Sequence, residues 1–270
     1  RLPVIAKIEK PQAVANLEEI IEAFDGIMVA RGDLGVEMPM EDVPIVQKRC
    51  IALAREKAKP VIVATQMLDS MMTNSRPTRA EATDCSTAVL DGADALMLSG
   101  ETSVGDFPVE AVTAMASIIT RTEELMLDQI APLKTAPHTK SGAITKAASE
   151  VGKIMNAKIL VAFTSSGESA RRMSEVRSSI PIVALTPEIG TYNRLSLTWG
   201  VDPVIAPTVY TTDEMVTQVD SVLLNSGRVT KGEFIMIVAG SPPGIPGGTN
   251  AMRVHRIGDA VDAIAPAYKK

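Results

Sequence analysis

The chain has 270 residues, of which 46% are hydrophobic and 22% charged, and its formal net charge is -5. No run approaches the roughly 18 consecutive apolar residues that a membrane span needs. The acidic balance and the 3% aromatic content lack the basic surface and the stacking side chains of nucleic-acid binders. We therefore expect one large or two ordinary globular domains, with neither membrane nor nucleic acid as a partner.

Two further features bear on compartment and completeness. Cys50 and Cys85 stand alone within helical patterns, without C-x-x-C spacing, so we expect core residues and a reducing cytoplasm. Position 1 is Arg rather than Met, and the chain already follows an apolar strand pattern from Val4. We therefore expect a fragment of a longer protein.

The first half alternates short apolar runs with amphipathic stretches, which is typical of βα units around a parallel sheet. A helical pattern follows Pro11, another surrounds Cys50, Thr78 and Glu81 predict a capping box, and a fourth helix begins near Pro108. The four predicted strands are residues 4–9, 26–30, 61–65 and 95–99. Four such units are half of the eight in a (β/α)8 barrel of about 250 residues.

The second half predicts a separate open α/β sandwich domain. Residues 128–141 contain two prolines and no apolar periodicity, which indicates a linker between domains at residues 1–127 and 142–270. The predicted strands of the second domain are residues 159–163, 182–185, 204–205, 234–239 and 252–257.

Polar residues stand at or directly after the end of each of the first four predicted strands, in the motifs KIE, ARGD, AT and LSGE. The carboxyl ends of parallel strands meet at one edge of a sheet, where active sites of such proteins lie. The sequence therefore predicts that six residues surround a single cavity: Lys7, Glu9, Asp33, Thr65, Ser99 and Glu101.

Glu9 and Asp33 are the predicted metal ligands. Mg²⁺ is typically held by one or two carboxylates plus substrate oxygens, and the absence of His and Cys at these strand ends argues against zinc. Lys7 lies on the same strand face as Glu9, so that a cation and a metal would meet one anionic group, as phosphoryl transfer requires. The alternatives are ordinary ones: each acid caps a helix or pairs with Lys10 or Arg31, and Lys7 and Glu9 form a simple surface pair.

Two glycine-containing turns are candidate anion sites. In ARGDLG, a tight turn would aim backbone amides at a carboxylate or phosphate, although such turns are common. TSSGES joins a strand to a helix and suits a phosphate, with a plain helix cap as the alternative. The loop at residues 240–250 would close over such a ligand or simply connect two strands. His138 and His255 receive no role.

The motifs KIEK, MVARGDLGVE, ATQMLDSM, PTRAE and MLSGETSVGDFPVEAV closely resemble pyruvate kinase, in that family's order and spacing. The resemblance covers nearly the whole chain. It implies that the first half is the last four βα units of the catalytic barrel and that the second half is the regulatory carboxyl-terminal domain. The implied glycolytic reaction transfers a phosphoryl group from phosphoenolpyruvate to ADP, which yields pyruvate and ATP.

The resemblance also implies roles for single residues. Lys7 would stabilise the transferred phosphoryl group, Glu9 and Asp33 would bind Mg²⁺ or Mn²⁺, and the amides of Gly32 and Asp33 would receive the substrate carboxylate. Thr65 would stand beside the enolate where carbon is protonated. Ser99 and Glu101 would take part in proton supply. The residues implied for the phosphate of an allosteric effector are Thr164, Ser165, Ser166, Gly167 and Ser169.

Some family features are missing or altered. The early barrel units, which bring a phosphate-binding arginine, the K⁺ ligands and the lid domain, have no counterpart, so we expect this chain alone to be inactive. Val104 replaces a lysine found in many relatives, and Glu168 replaces a basic residue found in some. The resemblance further implies a cytoplasmic homotetramer for the full-length protein.

Two other interpretations remain open at this point. A lyase or mutase barrel that binds phosphoenolpyruvate or pyruvate through Mg²⁺ would also place two carboxylates at strand ends, although TSSGES and the second domain speak against it. The fragment by itself would alternatively serve only for effector binding and oligomerisation.

Overall fold

The computed structural model describes residues 2–134, 139–241 and 248–259. The chain divides into two compact units, one formed by residues 1–135 with 197–199 and the other by residues 136–196 with 200–270. This division falls within the predicted linker, whereas the grouping of residues 197–199 with the first unit was not predicted. His138 and most of the predicted loop at 240–250 lie outside the described residues.

The first unit contains four strands in regular alternation with helices. The strands are β1 (Ile5–Ile8), β2 (Gly26–Ala30), β3 (Val61–Ala64) and β4 (Ala95–Met97). The helices are α1 (Pro11–Ala15), α2 (Leu17–Ala23), α3 (Arg31–Glu37), α4 (Val43–Glu56), α5 (Arg79–Asp91), α6 (Gly100–Ser103) and α7 (Pro108–Met126).

Local sequence signals set the ends of several helices. The capping box of α5 is confirmed, because the Thr78 hydroxyl accepts the Glu81 amide while the Glu81 carboxylate accepts the Thr78 amide. The helix stops at Gly92, whose φ of +99° suits a residue without a Cβ. The single helical pattern after Pro11 is in fact two helices separated at Asn16, whose side-chain amide bonds the Gln12 carbonyl.

The sheet of the first unit is parallel throughout, in the order β1-β2-β3-β4. Alternate strand residues, such as Ile27, Val29, Val61 and Val63, are fully buried in one core together with helical side chains. The opposite face, to which Lys7 belongs, is not part of that core. The helices therefore cover one face of this sheet.

The second unit is an open sheet with helices on both faces. Its strands are β5 (Leu160–Phe163), β6 (Ile182–Thr186), β7 (Val201–Ile205), β8 (Phe234–Gly240) and β9 (Thr249–Arg256). Its helices are α8 (Lys140–Ile154), α9 (Glu168–Ser174), α10 (Ile189–Leu195) and α11 (Thr212–Asn225). Alternate residues of the same strands belong to two different hydrophobic clusters. On one face of the sheet they pack against α11, and on the other they pack against α8, α9 and α10.

The strand order of the second unit is β7-β6-β5-β8-β9, so its direction of winding reverses between β5 and β8. The last strand of the described residues, β9, runs antiparallel to β8, which the sequence pattern did not predict. His255 of β9 is buried, and its Nε2 lies 2.7 Å from Asp220 Oδ1 of α11. This pair joins the edge strand to the helix and explains a histidine in an apolar strand.

Cys50 and Cys85 are free and fully buried, as predicted. Burial raises the pKa of each thiol to about 12, so both are unreactive core side chains near neutral pH. In the described part of the chain, no helix combines the length and the apolar character that crossing a membrane requires.

Candidate active site

Three charged side chains meet at the carboxyl ends of β1 and β2. Lys7 Nζ lies 2.6 Å from Glu9 Oε2 and 2.8 Å from Asp33 Oδ2. Lys7 and Glu9 share a face of the chain because they are two residues apart, and Asp33 comes from the first turn of α3, directly after β2. The three side chains are between one-third and about one-half exposed, so the cluster is open to a ligand.

The ion pair between Lys7 and Asp33 favours the charged form of both groups. Hydrogen bonds to Asp33 and then Glu9 raise the pKa of Lys7. The same bond from Lys7 holds the pKa of Asp33 below its usual value. The stabilisation that this pair contributes is therefore present above the ordinary aspartate pKa and is lost as the pH falls through the lowered one. Asp33 is available as an anionic ligand at neutral pH.

Thr65 and Gly32 form the next contact along the sheet edge. The Gly32 amide donates to Thr65 Oγ1 at 2.7 Å, and this hydroxyl lies 2.6 Å from the Ala64 carbonyl oxygen. A Cβ at position 32 would lie 3.3 Å from Thr65 Oγ1, a tight contact that would press on this hydroxyl. The expected tight turn of ARGDLG is instead the start of the short helix α3, whose first amides lack intrahelical acceptors.

Glu101 joins the loops after β3 and β4. Its side chain is buried, Oε1 accepts the Leu68 amide at 3.1 Å, and Oε2 accepts the Ser99 amide at 2.8 Å. Neighbouring strand ends are thus linked in series, β1 to β2 by Lys7, β2 to β3 by Thr65 and β3 to β4 by Glu101. The structure brings the predicted residues to one edge of the sheet.

The ordinary pairings considered for these residues are partly present. Lys7 and Glu9 do form an exposed ion pair, but Asp33 joins it, whereas Lys10 pairs with Glu37 and Arg31 pairs with Asp84. The Arg31–Asp84 pair was not predicted. The two residues are 53 positions apart, so no local pattern signals their contact.

A hard divalent cation fits the chemistry of this cluster. Its acceptors are carboxylate oxygens, and the ammonium group of Lys7 already bridges them, which shows that Glu9 and Asp33 converge on one positive charge. The described residues contain no group of three or more His, Cys, Asp or Glu side chains that would hold a metal by themselves. Mg²⁺ suits such a site because it takes one or two carboxylates and completes its shell with water and substrate oxygens.

A second candidate site lies within the other unit. A cavity of about 230 Å³ is bordered by the ends of β5, β6 and β8 and by the start of α8. It lies where the strand order reverses, which is the usual ligand position in open α/β sheets. Lys140 and Glu168 are the charged residues among its described lining. Ser141 Oγ and Gln218 Oε1 in that lining are buried without a hydrogen-bond partner in the described structure, and neither was predicted.

The TSSGES loop provides one wall of this cavity. Thr164 Oγ1 accepts the Gly167 amide at 2.8 Å, and Ser169 Oγ lies 2.7 Å from Thr249 Oγ1 in a buried contact. Gly167 has a φ of +84°, and a Cβ there would lie 2.8 Å from an Arg171 nitrogen. Ser165 and Ser166 are exposed. Thr164, Gly167 and Ser169 therefore shape the loop, and the two serines carry its accessible hydroxyls.

Comparison with known proteins agrees with this architecture. Residues 1–112 match the family model described as the pyruvate kinase barrel domain, and residues 142–255 match the pyruvate kinase alpha/beta domain. Pyruvate kinase of Mycobacterium tuberculosis is 56% identical over 259 residues, and that of Corynebacterium glutamicum is 53% identical. The chain belongs to the pyruvate kinase family.

A solved structure gives the same result for the fold. The crystal structure of a pyruvate kinase from Cryptosporidium parvum matches with a TM-score of 0.85 and 35% identity, over 94% of this chain and 51% of that one. The two bacterial relatives are matched over 96% of this chain and over 55% and 54% of their own lengths. The chain spans about half the length of the curated relatives it matches.

Proposed function

We propose that the protein containing this chain transfers a phosphoryl group from phosphoenolpyruvate to ADP, forming pyruvate and ATP. The observation that carries the proposal is the convergence of Lys7 with Glu9 and Asp33 at adjacent strand ends. A lysine beside two carboxylates suits a reaction in which positive charge must meet an anionic group in transfer. The substrates are inferred from membership of the pyruvate kinase family.

We further propose that the first unit is the last four βα units of a (β/α)8 barrel. Its strands pair in sequential order, with the main helical core on one face, as in a sector of a barrel. The two outer strands, β1 and β4, each pair with one neighbour in the described structure and would bind the preceding four units. The boundaries at 1–127, 128–141 and 142–270 belong to this proposal.

In this site the protein groups bind and orient the substrate. The Asp33 amide, and the Gly32 amide once it is released from Thr65 Oγ1, would receive the substrate carboxylate. Glu9 and Asp33 would hold Mg²⁺ or Mn²⁺, and the Lys7 ammonium would meet the phosphoryl oxygens. The bound metal supplies neutralisation of the charge on the enolate and phosphoryl oxygens. The bond between phosphorus and the enolate oxygen breaks, and phosphorus forms a new bond to an oxygen of ADP.

Protonation of the enolate carbon completes the proposed reaction. Thr65 would stand beside that carbon, and its hydroxyl is oriented by its contacts with Gly32 and Ala64. Ser99 and Glu101 would take part in proton supply. Both Glu101 oxygens already accept backbone amides, so its contribution would include ordering the loops around Thr65 and Ser99.

The remaining ligands and the oligomeric state are inferred from the pyruvate kinase family. K⁺ would bind through barrel units that precede these residues, the full-length protein would be a cytoplasmic homotetramer, and a phosphorylated effector would regulate it. The second unit supplies the candidate effector site, in which Ser165 and Ser166 would contact the phosphate and Thr164, Gly167 and Ser169 would shape the loop. Effector binding is also the function that this cavity supports for the isolated chain.

A coupled assay tests the proposed reaction. The full-length enzyme should form ATP from phosphoenolpyruvate and ADP only when a divalent cation is added. The 270-residue polypeptide, with its mass verified, should form none. Absence of activity in the full-length enzyme would refute the reaction, and activity in the verified 28.6 kDa species would refute the need for further barrel units.

Glu168→Gln should strengthen binding of a phosphorylated ligand to the second unit. Glu168 lines the cavity and places a negative charge beside the phosphate position. Removing one partly exposed repulsion should tighten binding about 2- to 5-fold. Calorimetry with glucose 6-phosphate, AMP and inorganic phosphate measures the change.

Glu150→Gln is the matched control for this substitution. Glu150 is an exposed residue of α8 that does not line the cavity, so its replacement should leave the affinity unchanged. Equal changes in both variants, or no heat with any of the three ligands, would count against this effector site.

A further inference from the structure

The turn after β3 holds two successive residues in a strained backbone conformation. Thr65 has a φ of +69° and Gln66 a φ of +53°, in the left-handed region that residues with a Cβ, and β-branched ones above all, rarely adopt. Such conformations persist only where surrounding contacts hold them. Thr65 carries the hydroxyl that contacts Gly32, so the strain lies within the candidate site.

Arg31 makes the contacts that hold this turn. Its Nη2 atom donates to the carbonyl oxygens of Thr65 and Gln66, at 3.0 Å each. The Arg31 side chain is only 10% exposed. Arginine suits this position because its planar group presents several donors in fixed directions, and lysine cannot reproduce them. Arg31 thus binds both peptide groups of the strained pair.

Asp84 in turn fixes Arg31. Both carboxylate oxygens of Asp84 accept from Arg31 Nη1, at 2.7 and 2.6 Å. Asp84 lies on α5, whereas Arg31 begins α3, and each helix is anchored in the same hydrophobic core. The chain of contacts therefore runs from α5 through Arg31 to the two peptide groups that follow the Thr65 side chain.

We propose that Arg31 and Asp84 are positioning residues that hold the Thr65–Gln66 turn in its strained conformation and so place the Thr65 hydroxyl for the reaction. This role rests on the proposed function of Thr65. The hydrogen bonds of Arg31 and Asp84 in the described structure do not involve Lys7, Glu9 or Asp33. Loss of Asp84 lets Arg31 leave the turn, and Thr65 then relaxes away from Gly32.

A double-mutant cycle in the full-length enzyme separates positioning from general stabilisation. Asp84→Asn should lower kcat about 10- to 100-fold, as misplacement of a catalytic group does. In a Thr65→Ala background, the same substitution should have little further effect, because the group it positions is already absent. An equal loss in both backgrounds would overturn the proposal.

Two further variants guard against a trivial loss of folding. Arg31→Lys keeps a positive charge near Asp84 but loses the paired donors, and it should reproduce the loss in kcat. Glu124→Gln removes a carboxylate of α7 that bonds Arg121 rather than Arg31. It should leave kcat nearly unchanged, with thermal unfolding measured for every variant.

Amide exchange tests the turn without catalysis. The Gly32 amide is bonded to Thr65 Oγ1, so in the 270-residue chain Asp84→Asn should speed its hydrogen exchange at least tenfold, measured by NMR. Unchanged exchange would overturn the positioning role. If Thr65→Ala leaves turnover intact while exchange still responds to Asp84→Asn, the turn contacts are established and the proposed function of Thr65 is the part that fails.

Discussion

Lys7→Met is expected to lower the turnover of the full-length enzyme by at least about 10²- to 10³-fold. Removal of one well-placed charge donor from an electrostatic site typically has an effect of this size. Met retains most of the length of Lys7 but cannot donate to Glu9 or Asp33, or meet the phosphoryl oxygens. Steady-state measurement of kcat with saturating phosphoenolpyruvate, ADP and Mg²⁺ checks the result.

The same substitution has a consequence that does not depend on turnover. Without the Lys7 hydrogen bond, the pKa of Asp33 should rise toward its usual value. As the pH falls, the carboxylate should then become protonated at a higher pH than in the unsubstituted enzyme. Lys10→Met provides the matched control, since Lys10 is a neighbouring exposed lysine that bonds Glu37 instead. Near-normal turnover in Lys7→Met, or equal losses in both variants, would refute the role given to Lys7.

Glu9→Gln is expected to weaken binding of Mn²⁺ at least about 10- to 100-fold. Changes to groups that only support metal ligands have effects of that size, so loss of a direct anionic ligand should have no smaller one. Gln keeps the shape of Glu9 and removes its charge, which leaves Asp33 as the remaining carboxylate of the cluster. Titration with Mn²⁺ followed by electron paramagnetic resonance measures binding directly, and turnover should fall about 10²- to 10³-fold.

Glu37→Gln is the control for metal binding. Glu37 ends α3, the helix whose first turn contains Asp33, and its carboxylate bonds Lys10 rather than Lys7. Its replacement should leave Mn²⁺ affinity within about twofold of the unsubstituted enzyme, because a screened surface charge contributes little. Unchanged Mn²⁺ affinity in Glu9→Gln would place the metal elsewhere and would remove the main support for this site.

The alternation of apolar runs and helical patterns was enough to predict both α/β units and the edge of the sheet where polar groups gather. Strand β2 was predicted with its observed bounds, and the capping box of Thr78 and Glu81 set the start of α5. Lys7 and Glu9 were predicted to share a face because strand geometry alone dictates it. The order of chain elements likewise brought Asp33 to the neighbouring strand end. The catalytic roles of these residues remain predictions.

The amino-acid sequence by itself determined the βα pattern, the cluster of acids and Lys7 at adjacent strand ends, and the buried cysteines, because each follows from spacing within one or two elements. Only the tertiary structure decided that Arg31 turns to Asp84, that Thr65 and Gln66 are held at positive φ, and that β9 runs antiparallel. These features depend on contacts between residues far apart in the chain. Local periodicity contains no information about such contacts, whereas packing of the helices on the sheet selects them.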